Sequence, residues 1–163
     1  MPVHQSPLPR ASLVHQRGHW KGIAVDRVIL DFEDRHRRRL AMAGVGGVQF
    51  LLDLPEAQHL HGGDALELDD GRLIEIVGMP ESLVEAKAHD GSGMARLAWH
   101  IGNRHLPVEI TATALRIRAD KIIEEMLEGL GAKLSPLSAP FEPEGPAPVS
   151  DGQATHSHDD HHP

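Results

Sequence analysis

Thirteen histidines and no cysteine set the coordination chemistry open to this 163-residue chain. Four of those histidines fall in one short stretch, His156-Ser157-His158-Asp159-Asp160-His161-His162, where two aspartates add carboxylate oxygens. Imidazole nitrogen and carboxylate oxygen suit divalent nickel, zinc, copper and cobalt, whereas the lack of thiols argues against copper(I) and iron–sulfur chemistry. The stretch alone does not choose among the divalent ions: copper(II) should bind it most tightly, and zinc and nickel should both bind. A histidine-rich tract signals metal better than it signals function. Its interleaved serine and aspartates are unlike the uniform histidine run of an expression tag.

A second candidate ligand lies upstream. The segment Trp99-His100-Ile101-Gly102-Asn103-Arg104-His105-Leu106-Pro107 breaks off a helical pattern and places Asn103, Arg104 and His105 in a turn, where polar side chains are presented rather than packed. Taken alone, a single histidine in a turn is more often a hydrogen-bonding residue than a ligand. The remaining histidines carry less weight. His59 and His61 form a His-x-His pair beside Gly62-Gly63; without a third ligand it reads as a solvated turn, with a loop chelate as the alternative. His15 and His19 are separated by Gly18 in an N-terminal setting that favours disorder. His100 reads as a packing residue or as a support for His105. The run Arg35-His36-Arg37-Arg38-Arg39 follows acidic residues and reads as a solvated, charged hairpin, or else as a docking patch for an acidic partner.

These side chains need a scaffold, and the apolar pattern supplies two kinds. From Arg27 to Val77 it has period two: Val28, Leu30 and Phe32, then Val48, Phe50, Leu52 and Leu54, then Leu66 and Leu68, then Ile74 and Ile76. Asp70-Gly71 between the last two runs is a hairpin signal of the type I′ kind. A small all-β domain is expected over residues 1–80, ending at the break Met79-Pro80. Residues 81–145 then change period. Leu83 to Ala88 reads as a strand; Met94, Leu97, Ala98 and Ile101 recur at helical spacing, with Asp90 or Ser92 as cap and Gly102 as stop. Val108 to Thr111 and Ala114 to Arg118 read as strands, Asp120 caps a helix bearing Ile123, Met126, Leu127 and Leu130, and Lys133 to Leu137 reads as a last strand. This βαββαβ order is the ferredoxin-like arrangement, so the expected class is α+β. Prolines and glycines beyond Pro140 prevent regular structure, leaving residues 146–163 as a flexible His-rich tail.

Composition narrows the partners. A formal net charge of −8 works against nucleic acid, whose binding needs a basic surface to release counterions. No stretch approaches the ~20 apolar residues of a membrane span, and Met1 to Val14 lacks the apolar run of a signal peptide, so a cytoplasmic location is expected. With three Phe, two Trp and no Tyr, the core must be aliphatic. No His-Glu-x-x-His run, phosphate-binding glycine loop or nucleophile constellation is present, so no enzyme activity is expected.

Several ordered motifs together are more specific than any of these features. Gly102-Asn103-Arg104-His105-Leu106-Pro107, Leu115-Arg116-Ile117-Arg118, Met126-Leu127, Leu130-Gly131-Ala132, Pro140-Phe141 and Pro143-Glu144-Gly145 resemble the urease accessory protein UreE family, from about Arg27 onward and most strongly from Trp99 to Gly145. The resemblance implies a cytoplasmic nickel metallochaperone that delivers Ni(II) to urease during maturation of its active site. Its N-terminal β domain would contact partners, and its ferredoxin-like domain would dimerise and bind nickel. The family's central ligand matches His105. Physically, an isologous dimer would bring His105 from both subunits to the two-fold axis and double an otherwise weak site. Mobile ligands His156, His158, His161 and His162 would complete the sphere of four to six donors and detach during delivery. Zn(II) or Cu(II) can bind the same site. The implied partners are the nucleotide-dependent accessory GTPase and the urease apoprotein complex, with dimers associating into tetramers around a shared ion as a further state. Some members carry extra histidines where this chain has Ala119 and Lys121, so that auxiliary site is expected to be absent. The alternative function is a nickel or zinc storage or buffering protein without a client, which would need only the tail.

Overall fold

Strands form where apolar residues alternate, because side chains in an extended backbone point to opposite faces and only one face needs burial. The computed structural model describes residues 7–144. Its first unit comprises β1 (Arg10–His15), β2 (Asp26–Leu30), β3 (Arg39–Ala43), β4 (Gln49–Asp53), β5 (Ala65–Leu68) and β6 (Leu73–Gly78) in one six-stranded sheet of order β2-β6-β5-β1-β4-β3. β1 pairs parallel to β4 and antiparallel to β5, and β2 pairs parallel to β6. The inward residues Val28, Leu30, Phe50, Leu52, Leu66, Ile74 and Ile76 share one aliphatic core.

Three sequence expectations change here. The segment around His15 is ordered, because Ala11 is fully buried and β1 fills the gap between β5 and β4. The Asp70-Gly71 turn is not type I′, which needs two positive φ angles: only Gly71 has one, at 87°. Gly71 N donates to Leu68 O and Leu68 N to Arg72 O, so Asp69, Asp70 and Gly71 form a three-residue loop closed by a glycine in the left-handed region. The arginine run is not a solvated hairpin either. Asp34–His36 form a short 3-10 turn that buries Arg35 completely and leaves His36 only 6% exposed.

The sheet is rolled so that its two edges meet. Val45, after β3, donates its N–H to Arg27 O of β2 at 2.8 Å. The buried Asp26 carboxylate accepts from Gly46 N at 2.8 Å, Val48 N at 3.0 Å and Arg27 N at 2.7 Å. These bonds to Val48, Gly46 and Arg27 stabilise the charged form and hold the Asp26 carboxyl below its ordinary pKa, against a smaller opposing effect of burial.

The second unit runs β7 (Glu81–Lys87), α1 (Gly91–Asn103), β8 (Glu109–Ile110), β9 (Leu115–Arg118), α2 (Lys121–Gly129), β10 (Lys133–Ala139). Its four strands take the order β10-β7-β9-β8, with every pair antiparallel. Asp90 caps α1 by accepting from Gly93 N, and Asp120 caps α2 by accepting from Ile122 N and Ile123 N. Leu97 and Ile101 of α1 and Ile123 and Leu127 of α2 pack with Val84, Ala86, Leu115 and Ile117, which lie on one face of the sheet. No helix among the described residues is long and apolar enough to cross a membrane.

The residues of opposite parity, Leu83, Glu85, Arg116 and Arg118, face away from the helices. Leu83 joins Phe32 of the first unit and Phe141 in a small buried cluster, and the Arg118 guanidinium sits 4.7 Å from the Phe32 ring centroid. Among the described residues, 140–144 after β10 have no regular structure, yet they are pinned as far as Glu144. Phe141 is fully buried, Glu142 N donates to Glu109 Oε1 at 2.7 Å, and Glu144 N donates to Val108 O at 2.7 Å.

Candidate metal centre

His105 owes its position to the way α1 ends. Helix-breaking Gly102 does not stop the helix, which continues to Asn103. Leu106 N donates to Ile101 O at 3.3 Å and His105 N to Gly102 O at 3.0 Å, a six-to-one and five-to-two pair that satisfies the last free carbonyls. This ending needs a residue in the left-handed region, and His105 takes it at φ 57°, the only described non-glycine residue with positive φ. Leu106 tucks back onto the core that contains Ile101, and the imidazole is left exposed. A left-handed backbone costs an L-residue about 1 kcal/mol, and such costs tend to persist at binding or catalytic positions.

Among the described residues His105 belongs to no group of three or more converging histidine, aspartate or glutamate donors. His100 lies on α1, half-buried and edge-on to the exposed Trp99 at 5.0 Å between ring centroids. The proposed tail ligands His156, His158, His161 and His162 lie outside the described residues.

A different set of donors does converge. His59, His61 and Glu142 bring their ligand atoms within 4.8 Å of one another. His61 Nδ1 lies 2.9 Å from Glu142 Oε2, and His59 Nε2 lies 3.2 Å from the same oxygen. The other carboxylate oxygen, Oε1, accepts from Arg35 Nη1 at 2.7 Å, while Arg35 Nη2 donates to Phe141 O at 2.6 Å. Burial would raise the Glu142 carboxyl, but the two imidazoles and the Arg35 charge outweigh it and hold the pKa at about 2. The His59 ring is stacked on His61 and tilted against His36, with centroids 4.0 and 4.2 Å away. His36 Nδ1 donates to Phe32 O at 2.6 Å, and burial, above all, keeps this imidazole below its ordinary pKa.

The third donor beside the His59/His61 pair is Glu142, supplied from far along the chain. Its only sequence signals were an aromatic, Phe141, beside an acid and an arginine, Arg35, among acids. Neither points to the other.

Comparisons with known proteins agree with the two-unit division. The UreE urease accessory protein N-terminal domain matches residues 9–77, and the UreE urease accessory protein C-terminal domain matches residues 81–163. The urease accessory protein UreE of Rhodopseudomonas palustris (strain HaA2) is 58% identical over 147 residues, covering 89% of this chain and 68% of that protein. The UreE of Beijerinckia indica subsp. indica is 55% identical over 149 residues, covering 91% and 86%. That of Rhodobacter capsulatus is 43% identical over 158 residues, covering 96% and 97%. With both units matched and identity sustained over most of its length, the chain belongs to the UreE family of urease accessory proteins.

Proposed function

We propose that this protein takes part in urease maturation as a nickel metallochaperone, carrying Ni(II) as cargo and delivering it to the urease apoprotein complex through the accessory GTPase. The observation that carries the reading is His105: an exposed imidazole held in a left-handed backbone at a helix end where glycine would be the cheaper choice. Nickel(II) accepts imidazole nitrogen, and a lone imidazole needs further donors. In this reading they come from His105 of a second copy across a two-fold axis and from His156, His158, His161 and His162. Trp99, 63% exposed on the same end of α1, is apolar surface that a second copy would cover.

The second unit, residues 81–145, is read as ferredoxin-like; the element order and the strand order β10-β7-β9-β8 support this. Residues 1–80 form the partner-docking unit and 146–163 the His-rich tail in this proposal. Location in the cytoplasm and the absence of catalysis are part of the same reading.

The test is calorimetric titration of nickel into the full chain and into His105→Ala. A tight event at one ion per two chains that disappears in the variant supports the carrier. Equal, weak, multi-ion curves in both proteins would leave only tail binding, and a client-free buffer would replace it.

A further inference from the structure

We propose that His59, His61 and Glu142 form a separate binding site for a divalent ion of the zinc or nickel kind, one that fastens the segment after β10 to the first unit. The inference does not rest on the nickel-delivery reading, because it uses neither His105 nor the tail.

The donor set is two imidazoles and one carboxylate, which with an open fourth position is a recurrent zinc arrangement and is also acceptable to nickel. At metal–ligand distances of about 2.0–2.2 Å, tetrahedral donors lie roughly 3.4 Å apart. The present separations of 2.9 and 3.2 Å to Glu142 Oε2, with all three donors within 4.8 Å, need only small side-chain shifts to reach that spacing. The contact between His59 and Glu142 is also imperfect as it stands. His59 Nε2 is buried and, despite its closeness to the carboxylate, makes no aligned hydrogen bond. A buried polar atom left in this state is costly, and an ion placed between it, His61 Nδ1 and Oε2 would satisfy all three.

The surroundings hold the ligands as a metal site requires. Arg35, fully buried, fixes Oε1 and so turns Oε2 toward the imidazoles. His36, itself tied to Phe32 O, backs the His59 ring. The exposed His61 leaves the site a route to solvent, its side chain being 51% accessible. Arg35 also sets a limit: its charge opposes that of the ion, so the affinity should fall below that of a site with an unshared carboxylate.

The experiment uses the full chain carrying His105→Ala, His156→Ala, His158→Ala, His161→Ala and His162→Ala, which removes the ligands of the nickel-carrier reading. Zinc chloride and nickel chloride are titrated separately by calorimetry, and thermal unfolding is followed with and without each ion. The expected result is about one ion per chain and a higher unfolding temperature with metal. Adding His59→Ala and His61→Ala should weaken binding at least tenfold and abolish the thermal shift. Glu142→Gln, which still accepts from Arg35, should weaken binding at least tenfold without loss of the fold, and it serves if the histidine variant does not fold. No binding of either ion to the first variant, or binding unchanged by the later substitutions, would overturn the site. Failure of the His105 reading leaves this outcome unaffected.

Discussion

His105 and Gly131 occupy the same position in two successive helix endings. Each follows the C-cap residue of its helix, each lies in the left-handed region, at φ 57° and 88°, and each is followed by a residue whose N–H returns to the helix, Leu106 to Ile101 O and Ala132 to Leu127 O. One fold unit thus solves the same backbone problem twice, once with the residue that steric chemistry favours and once with a histidine.

The comparison predicts opposite responses to substitution. His105→Gly relieves the left-handed backbone, whereas His105→Ala retains it, so the glycine variant should be more stable than the alanine variant by about 1 kcal/mol in urea unfolding. Both should lose the tight nickel event. Gly131→Ala should cost about 1 kcal/mol through backbone strain alone, because open space surrounds the site of the new methyl. Equal stability of the two His105 variants would show that the left-handed backbone carries no cost.

Asp26 should give the first unit an acid-labile closure. Its folded pKa lies below the ordinary value of 3.8, so the carboxylate stabilises the fold fully above that pH. The contribution is lost as pH falls from about 3.8 through the lower folded value. Asp26→Asn should therefore flatten the fall of stability on the acid side. Gly44→Ala, whose methyl would run into the Asp26 carboxylate, should lower the urea midpoint at neutral pH. Unfolding curves measured from pH 2 to 7 check both.

Phe141 is the apolar anchor of the segment after β10. Phe141→Ala removes a fully buried ring packed against Phe32 and Leu83 and should cost about 3 kcal/mol or more. Amide hydrogen exchange should then rise at Glu142 and Glu144, whose N–H groups are held by Glu109 and Val108.

Arg35→Lys should behave as a non-conservative change. The guanidinium spans Glu142 Oε1 and Phe141 O from a fully buried position, and a single ammonium cannot reproduce that fork. A loss of about 1–3 kcal/mol is expected in denaturant unfolding. Burial shields this pair from salt, so the loss should persist at 1 M NaCl.

Local chemistry made much of the scaffold readable. Val28, Leu30, Phe50 and Leu52 alternate because one sheet face is buried, and Asp90 and Asp120 mark helix starts because their carboxylates satisfy free N–H groups. His105 was picked out for its turn, although the turn was assigned to Gly102 rather than to His105 itself. What stayed hidden depends on partners distant in sequence. Nothing near His59 and His61 announces Glu142, and nothing in Arg35-His36-Arg37 distinguishes the arginine that is buried from those left in solvent. Both follow from how the two units meet, which local periodicity does not encode.

The hydrogen bond from Glu144 N to Val108 O ties the last of the described residues to the segment between α1 and β8. Glu144 is held not at the end of β10 but beside Val108, three residues past His105 in sequence. In the proposed carrier, the effective concentration of His156, His158, His161 and His162 around His105 depends on where the chain is moored as well as on its length. Cutting the mooring at Phe141 or Glu144 would dilute them without altering a single ligand.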